Sequence, residues 1–278
     1  AFFARFVMLG AVAAGGRVVD TISGDILHPD IFDVKVALVV MVTATVTLLV
    51  ANLLKIPQST SQVTVCSLVG VGIYTGGLSG TPFKLMIPLW FALPFAAYLI
   101  TLVLGRLAYP RLRHFVLAQG IMRRYRLLQV FVIASSCYAA FSIGSNNVAN
   151  ATGILAGTNL TGALVSAVFI APFFGMGGLL LGMGNLETAG KEISPLGVLS
   201  AALVCLVGGT LLLLASALGM PASEVQIKLG AIFAIGVVKE GHGPMLRNPK
   251  ARRAALVWMV APLISILIAY LLSLAFLG

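Results

Sequence analysis

This chain of 278 residues is poor in charge, and its few acids, histidines and cysteines limit the chemistry open to it. Charged residues make up 9% of the sequence and hydrophobic residues 59%. A soluble domain carries about 25% charged residues, so an integral membrane protein is implied. The three histidines (His28, His114, His242) are scattered in loops or loop edges, and no nucleophile–base pair accompanies them. Cys66, Cys137 and Cys205 lie far apart in apolar runs without metal-ligand spacing, as small core residues do. An enzyme and a metal site are therefore not expected. The sequence also lacks a P-loop, which argues against ATP-driven pumping by this chain. It has no alternating ten-residue strands, which argues against an outer-membrane barrel.

What the chain does have is long apolar runs. Membrane-spanning helices are expected at about 36–54, 84–105, 127–143, 162–182, 196–218 and 254–277, with part of another before residue 16. Two shorter segments, about 62–76 and 224–238, follow proline-containing turns and include glycines. These read as discontinuous or re-entrant helices, which a bilayer tolerates only where loose backbone is buried in protein or lines a cavity. The expected fold is an all-α integral membrane protein, a helical bundle with such broken helices.

Charge is distributed unevenly. Arg106, Arg111, Arg113, Arg123, Arg124 and Arg126 form one basic stretch without acids, and Lys239, Arg247, Lys250, Arg252 and Arg253 mark a second, with Glu240 its only acid. Asp20, Asp25, Asp30 and Asp33 cluster before the second span. The positive-inside rule puts both basic stretches in the cytoplasm, and the acidic segment outside if each short helix counts as a crossing. With the rest of the chain in lipid, nucleic acid is not an expected partner.

The run Gly144-Ser145-Asn146-Asn147-Val148-Ala149-Asn150-Ala151 comes directly after the apolar stretch 127–143. Asparagine in hydrocarbon is costly without partners, so three of them here point to a polar site inside the membrane. On an α-helix Asn146 and Asn150, or Asn147 and Asn150, share a face. The alternative is a helix-packing motif of small and polar residues.

An internal repeat organises the chain. Ala51-Asn52-Leu53-Leu54-Lys55-Ile56-Pro57-Gln58-Ser59 aligns with Ala215-Ser216-Ala217-Leu218-Gly219-Met220-Pro221-Ala222-Ser223, and the same offset pairs Gln62 with Gln226 and Gly72 with Gly236. Asp20-Thr21 and Asp25-Ile26 echo Glu187-Thr188 and Glu192-Ile193 at nearly that offset. The charge argument puts Lys55 inside and Gly219 outside, so the halves run in opposite directions, as inverted repeats do. The expected division is a first transmembrane repeat at 1–108, a basic cytoplasmic loop at 109–126 and a second, inverted repeat at 127–278. The offset places a first copy of the asparagine motif roughly twenty residues before Ala1, so the first repeat is expected to be truncated at its N-terminus.

These residues resemble the inorganic phosphate transporter (PiT) family. Gly144–Ala151 is similar to its glycine-alanine-asparagine-aspartate-valine-alanine-asparagine-alanine signature, and Pro57-Gln58-Ser59-Thr60-Ser61 to its proline and serine-threonine turn, with a weaker copy at Pro221-Ala222-Ser223. The resemblance extends over nearly the whole chain. It implies cation-coupled symport of a tetrahedral oxyanion, with sodium or a proton as coupling ion, in a multi-pass protein of the cell membrane. A homodimer in the lipid bilayer is implied by the family alone. Asn147 stands where the signature has aspartate, Gln62 near a position where phosphate carriers often have histidine, and Glu224 replaces a threonine of the second turn. The run Ser59-Thr60-Ser61, followed by a polar residue and Val63-Thr64-Val65, is closer to the family's sulfate permeases. Phosphate and sulfate both stay open.

A tetrahedral oxyanion requires donors converging on its oxygens. Both turns precede a helix, so backbone N–H groups and the positive dipole end can point at an anion. Ser59, Thr60, Ser61 and Ser223 add hydroxyls, and Asn146, Asn147 and Asn150 add amides; these seven are the expected substrate-binding residues. Plain N-capping by Ser59 and Ser223, worth about 1 kcal/mol each, uses the same geometry. Glu224 and Lys228 are spaced to pair along one helix, and Glu224 is the candidate carrier of a coupling proton. Asp20, Asp25, Glu187 and Glu192 sit at span edges and are left out of the site. A secondary transporter working by alternating access is the leading reading and an anion channel the alternative, although no ring of like charge or carbonyl filter is visible.

Overall fold

The computed structural model describes residues 2–181 and 196–278, and its elements are helices, apart from an isolated bridge between Leu27 and Leu78. In chain order they are α1 (Phe2–Ala14), α2 (Gly16–Asp20), α3 (Val34–Leu53), α4 (Thr60–Thr75), α5 (Phe83–Leu107), α6 (Tyr109–Leu117), α7 (Ile121–Ile143), α8 (Ala149–Gly157), α9 (Ala163–Leu181), α10 (Val198–Ala217), α11 (Glu224–Glu240), α12 (His242–Arg247) and α13 (Pro249–Phe276). Among the described residues, five helices are long and apolar enough to cross a bilayer, or six if one bent pair counts as a single span. That pair is α1 and α2, which meet at Gly15–Gly16 with a bend of 69°. The helix then continues through a π-helical turn, Thr21–Asp25.

The expected spans are all present as helices within a few residues of their expected ends. The stretch 109–126 differs from its reading as a loop. Pro110 opens α6, where a missing N–H costs nothing, and Gly120 precedes α7, so Arg123, Arg124 and Arg126 stand on the first turns of that helix. Low hydropathy hid a surface helix.

The bundle places apolar side chains outward and polar ones inward. Phe91, Phe95, Phe169, Phe173, Leu263 and Leu267 are exposed on α5, α9 and α13, as lipid-facing residues are. By contrast α4 is enclosed, with Ser61 to Leu68 buried without interruption. α11 is similarly enclosed from Leu229 to Val237, with half-buried Gly230 and Phe233 the exceptions. Interior position explains their composition: neither needs a long apolar surface, and both carry polar groups that lipid would reject.

Packing interleaves the two halves of the chain. α11 lies along α5 and α13 along α4. Gly230 and Gly70 permit these approaches: a Cβ at Gly230 would collide with the Pro94 carbonyl of α5, and one at Gly70 with the Ile266 carbonyl of α13. The buried clusters show the same pairing, since Leu93 and Ala97 of α5 join Leu211, Leu212 and Ile227, while Ala269 of α13 joins Val65, Leu68 and Val71.

Candidate functional site

The two proline turns have the same backbone construction. After α3 the chain passes through Lys55 at φ 55°, and after α10 through Gly219 at φ 72°. Ile56 N–H donates to Ala51 O at 2.9 Å, and Met220 N–H donates to Ala215 O at 2.9 Å. Each turn then ends on a serine N-cap: Gln62 N–H donates to Ser59 Oγ at 3.1 Å and Gln226 N–H to Ser223 Oγ at 3.2 Å. The N–H groups of Thr60, Ser61, Glu224 and Val225 precede any intrahelical acceptor and donate no backbone hydrogen bond among the described residues. Capping uses only an acceptor lone pair of each serine, so both hydroxyl hydrogens remain to be donated.

Each turn is held by the other half. Trp258 Nε1 donates to Pro57 O at 3.0 Å, and Trp90 Nε1 donates to Pro221 O at 2.8 Å. Gln62 and Gln226 exchange two amide hydrogen bonds, at 3.2 and 2.9 Å, which couple the first turns of α4 and α11. The two N-termini therefore sit in one buried polar region. Sequence reasoning matched Gln62 with Gln226 as repeat counterparts but did not pick out their contact, nor Trp90 or Trp258. The available signal was that the chain has two tryptophans, separated by nearly the repeat offset.

The asparagine run lies between the two turns, on a π-helical turn (Gly144–Val148) joining α7 to α8. A π-helical turn shifts the angular phase of the residues beyond it, so the three asparagines are not arranged as on an uninterrupted α-helix. Asn146 is fully buried and stitched to the second turn. Its Nδ2 donates to Ser216 Oγ and to Met220 O, each at 3.0 Å, and its Oδ1 accepts from Ala222 N–H at 2.9 Å. Asn147 Nδ2 donates to Glu224 Oε2 at 2.9 Å. Asn150 reaches the first turn instead, donating from Nδ2 to Ser61 Oγ at 2.8 Å. Ser61 in turn donates to Ala222 O at 2.7 Å and lies 3.4 Å from Asn146 Oδ1.

Of the expected site residues, the structure thus joins Ser61, Asn146 and Asn150 directly, and Asn147 to Glu224. Ser59 and Ser223 face the same region as caps. Thr60 is half-buried and makes no side-chain hydrogen bond among the described residues. The amide hydrogens of Asn146 are both spent inside the protein, whereas Asn147 and Asn150 keep unpartnered, buried Oδ1 atoms. Gln58, in the first turn, is buried with neither side-chain polar atom partnered. Glu224 pairs with Lys228 one turn along α11, as the spacing predicts. Asp20 and Asp25 are exposed, while Glu187 and Glu192 lie outside the described residues.

Comparison with known proteins agrees with this architecture. The sequence pattern described as the phosphate transporter family matches residues 1–269. The sulfate permease CysP of Bacillus subtilis (strain 168) is 33% identical to this chain, over 98% of the chain and 75% of the relative. Among solved structures, a sodium-dependent phosphate transporter superposes with a TM-score of 0.78, covering 99% of this chain and 88% of the other at 21% identity. That identity is evidence for the fold alone.

Proposed function

Because the chain belongs to the phosphate transporter family, we propose that it is a secondary transporter that carries sulfate or phosphate across the cell membrane together with a cation. Family membership makes it a multi-pass membrane transporter and not an enzyme. The observation that carries the binding reading is the pair of capped turns joined by the Gln62–Gln226 exchange and the Ser61–Ala222 bond, each anchored by a tryptophan of the other half.

In this reading the anion sits between the N-termini of α4 and α11. The hydroxyls of Ser59, Thr60 and Ser223 and the free N–H groups of both first turns donate to its oxygens. Ser61, Asn146 and Asn150 act mainly by fixing the turns, and Asn147 by holding Glu224. Neutral donors are sufficient: a micromolar site needs about 8 kcal/mol, and each hydrogen bond to a charged group contributes about 1.5–3 kcal/mol net. The positive charge nearest the second cap, Lys228, is paired with Glu224, so the anion is held mainly by neutral donors and can leave again, as a carrier requires. The unpartnered oxygens of Asn147 and Asn150 supply acceptors for a protonated oxygen of phosphate.

The coupling ion belongs to the proposal as well. Glu224 is the proton candidate because it is the carboxylate beside the site; taking up a proton would require it to give up a bond to Lys228 or Asn147. Opposed orientation of the two halves and a homodimer in the bilayer complete the reading. Radiolabelled sulfate and phosphate uptake into proteoliposomes, with imposed sodium or proton gradients, tests it. Saturable uptake of either anion, accelerated by one gradient, is the expected result. Large unitary anion currents without gradient coupling would replace the carrier with a channel.

A further inference from the structure

We propose that Gln58 is a substrate ligand and the side chain that distinguishes one oxyanion from another; this rests on the oxyanion reading above. Gln58 is 8% exposed, and both its Nε2 and its Oε1 lack a partner. It is the residue with two orphaned side-chain polar atoms among the described residues, an amide nitrogen and an amide oxygen. Leaving a buried polar group unpaired costs about 1–3 kcal/mol, so an amide kept in this state calls for a partner that arrives from outside. Gln62, four positions on, shows the opposite condition: its amide is buried and closed by exchange with Gln226.

The backbone around Gln58 is fixed on both sides. Pro57 O is held by Trp258, and Ser59 Oγ is held by Gln62 N–H. The side chain therefore starts from a rigid point next to the open N–H groups of α4. In the second turn the corresponding residue is Ala222, whose N–H is taken by Asn146 and whose carbonyl is taken by Ser61. The turns are matched in backbone, and the first has one additional amide to offer.

An amide can donate from its nitrogen or, after rotation, accept at its oxygen. It can donate to sulfate, which only accepts, and can also accept from a protonated phosphate oxygen. A carboxylate in its place can only accept. Gln58→Glu should therefore reject sulfate and retain more of the binding of hydrogen phosphate, whereas Gln58→Met keeps the length and removes both polar atoms.

Melting temperature of the purified protein, measured across sulfate and phosphate concentrations, tests the proposal. In Q58M the ligand-free melting temperature should equal or exceed that of the wild type, because an orphan amide is removed. The half-saturating concentration of the stabilising anion should rise at least tenfold. A lower ligand-free melting temperature, or an unchanged half-saturating concentration, would assign the amide a structural role and overturn the proposal. Should Q58M not fold, Q58E decides: sulfate must lose more affinity than phosphate, and equal loss or no loss overturns it. If the wild type is stabilised by neither anion and transports neither, the oxyanion reading itself fails, an outcome distinct from failure at Gln58.

Discussion

The two proline turns share one backbone and carry different chemistry. Both pass through a left-handed residue, return a hydrogen bond to the preceding helix and end on a serine cap. In the first, the cap is flanked by Gln58 and Thr60; in the second, by Ala222 and Glu224. One cap thus has uncharged, donor-bearing neighbours, and the other has a carboxylate paired with Lys228. The difference separates what holds the site from what reads the ligand: the frame is duplicated, and a carboxylate stands beside one cap only.

Substitution at Asn146 should break the comparison most severely, since this residue supports the second turn at three points and has no equivalent attachment to the first beyond Ser61. Asn146→Ala leaves the buried Ala222 N–H and Met220 O without that partner, at about 1–3 kcal/mol for each orphaned group. Thermal unfolding should show a loss of several degrees, and uptake should disappear. An unchanged melting temperature would show that the second turn does not depend on the asparagine.

The next largest effect is expected at Glu224. Glu224→Gln strands Lys228 and should cost about 1–3 kcal/mol in this partly buried setting. It should abolish proton-driven uptake and spare anion exchange; equal loss of both would remove the proton role. The double variant E224T/K228T makes the second turn resemble the first, which has Thr60 and Thr64 at the matching positions. It should recover most of the lost stability without restoring proton coupling.

Smaller and matched effects are expected at the duplicated parts. Ser59→Ala and Ser223→Ala each remove a cap, worth about 1 kcal/mol, and should lower melting temperature to a similar extent. Trp90→Phe and Trp258→Phe each remove one hydrogen bond to a proline carbonyl, worth about 0.5–1.5 kcal/mol. Melting temperatures that fall for one tryptophan and not for the other would show that the turns are not equivalently held.

Much of this arrangement could be read from local sequence. Apolar runs marked the spans, Pro57 and Pro221 with the serines after them marked the enclosed helices, and the spacing of Glu224 and Lys228 marked their pair. These signals are local because caps, turns and intrahelical pairs act over a few residues. The Trp90–Pro221 and Trp258–Pro57 bonds were not legible, because they join residues 131 and 201 positions apart. The π-helical turn was also hidden, and with it the division of labour among Asn146, Asn147 and Asn150. Composition carries no mark of a phase change in a helix. The helix α6 was missed because its arginines outweighed a short amphipathic pattern.

Equilibrium binding of radiolabelled sulfate and phosphate to the purified protein tests most directly whether the two turns form one site. The measurement compares the wild type with Ser59→Ala and Ser223→Ala. The account predicts a single class of site, with one anion bound per chain and affinity reduced by either substitution. Two independent sites, each sensitive to one serine only, or binding indifferent to both, would contradict it.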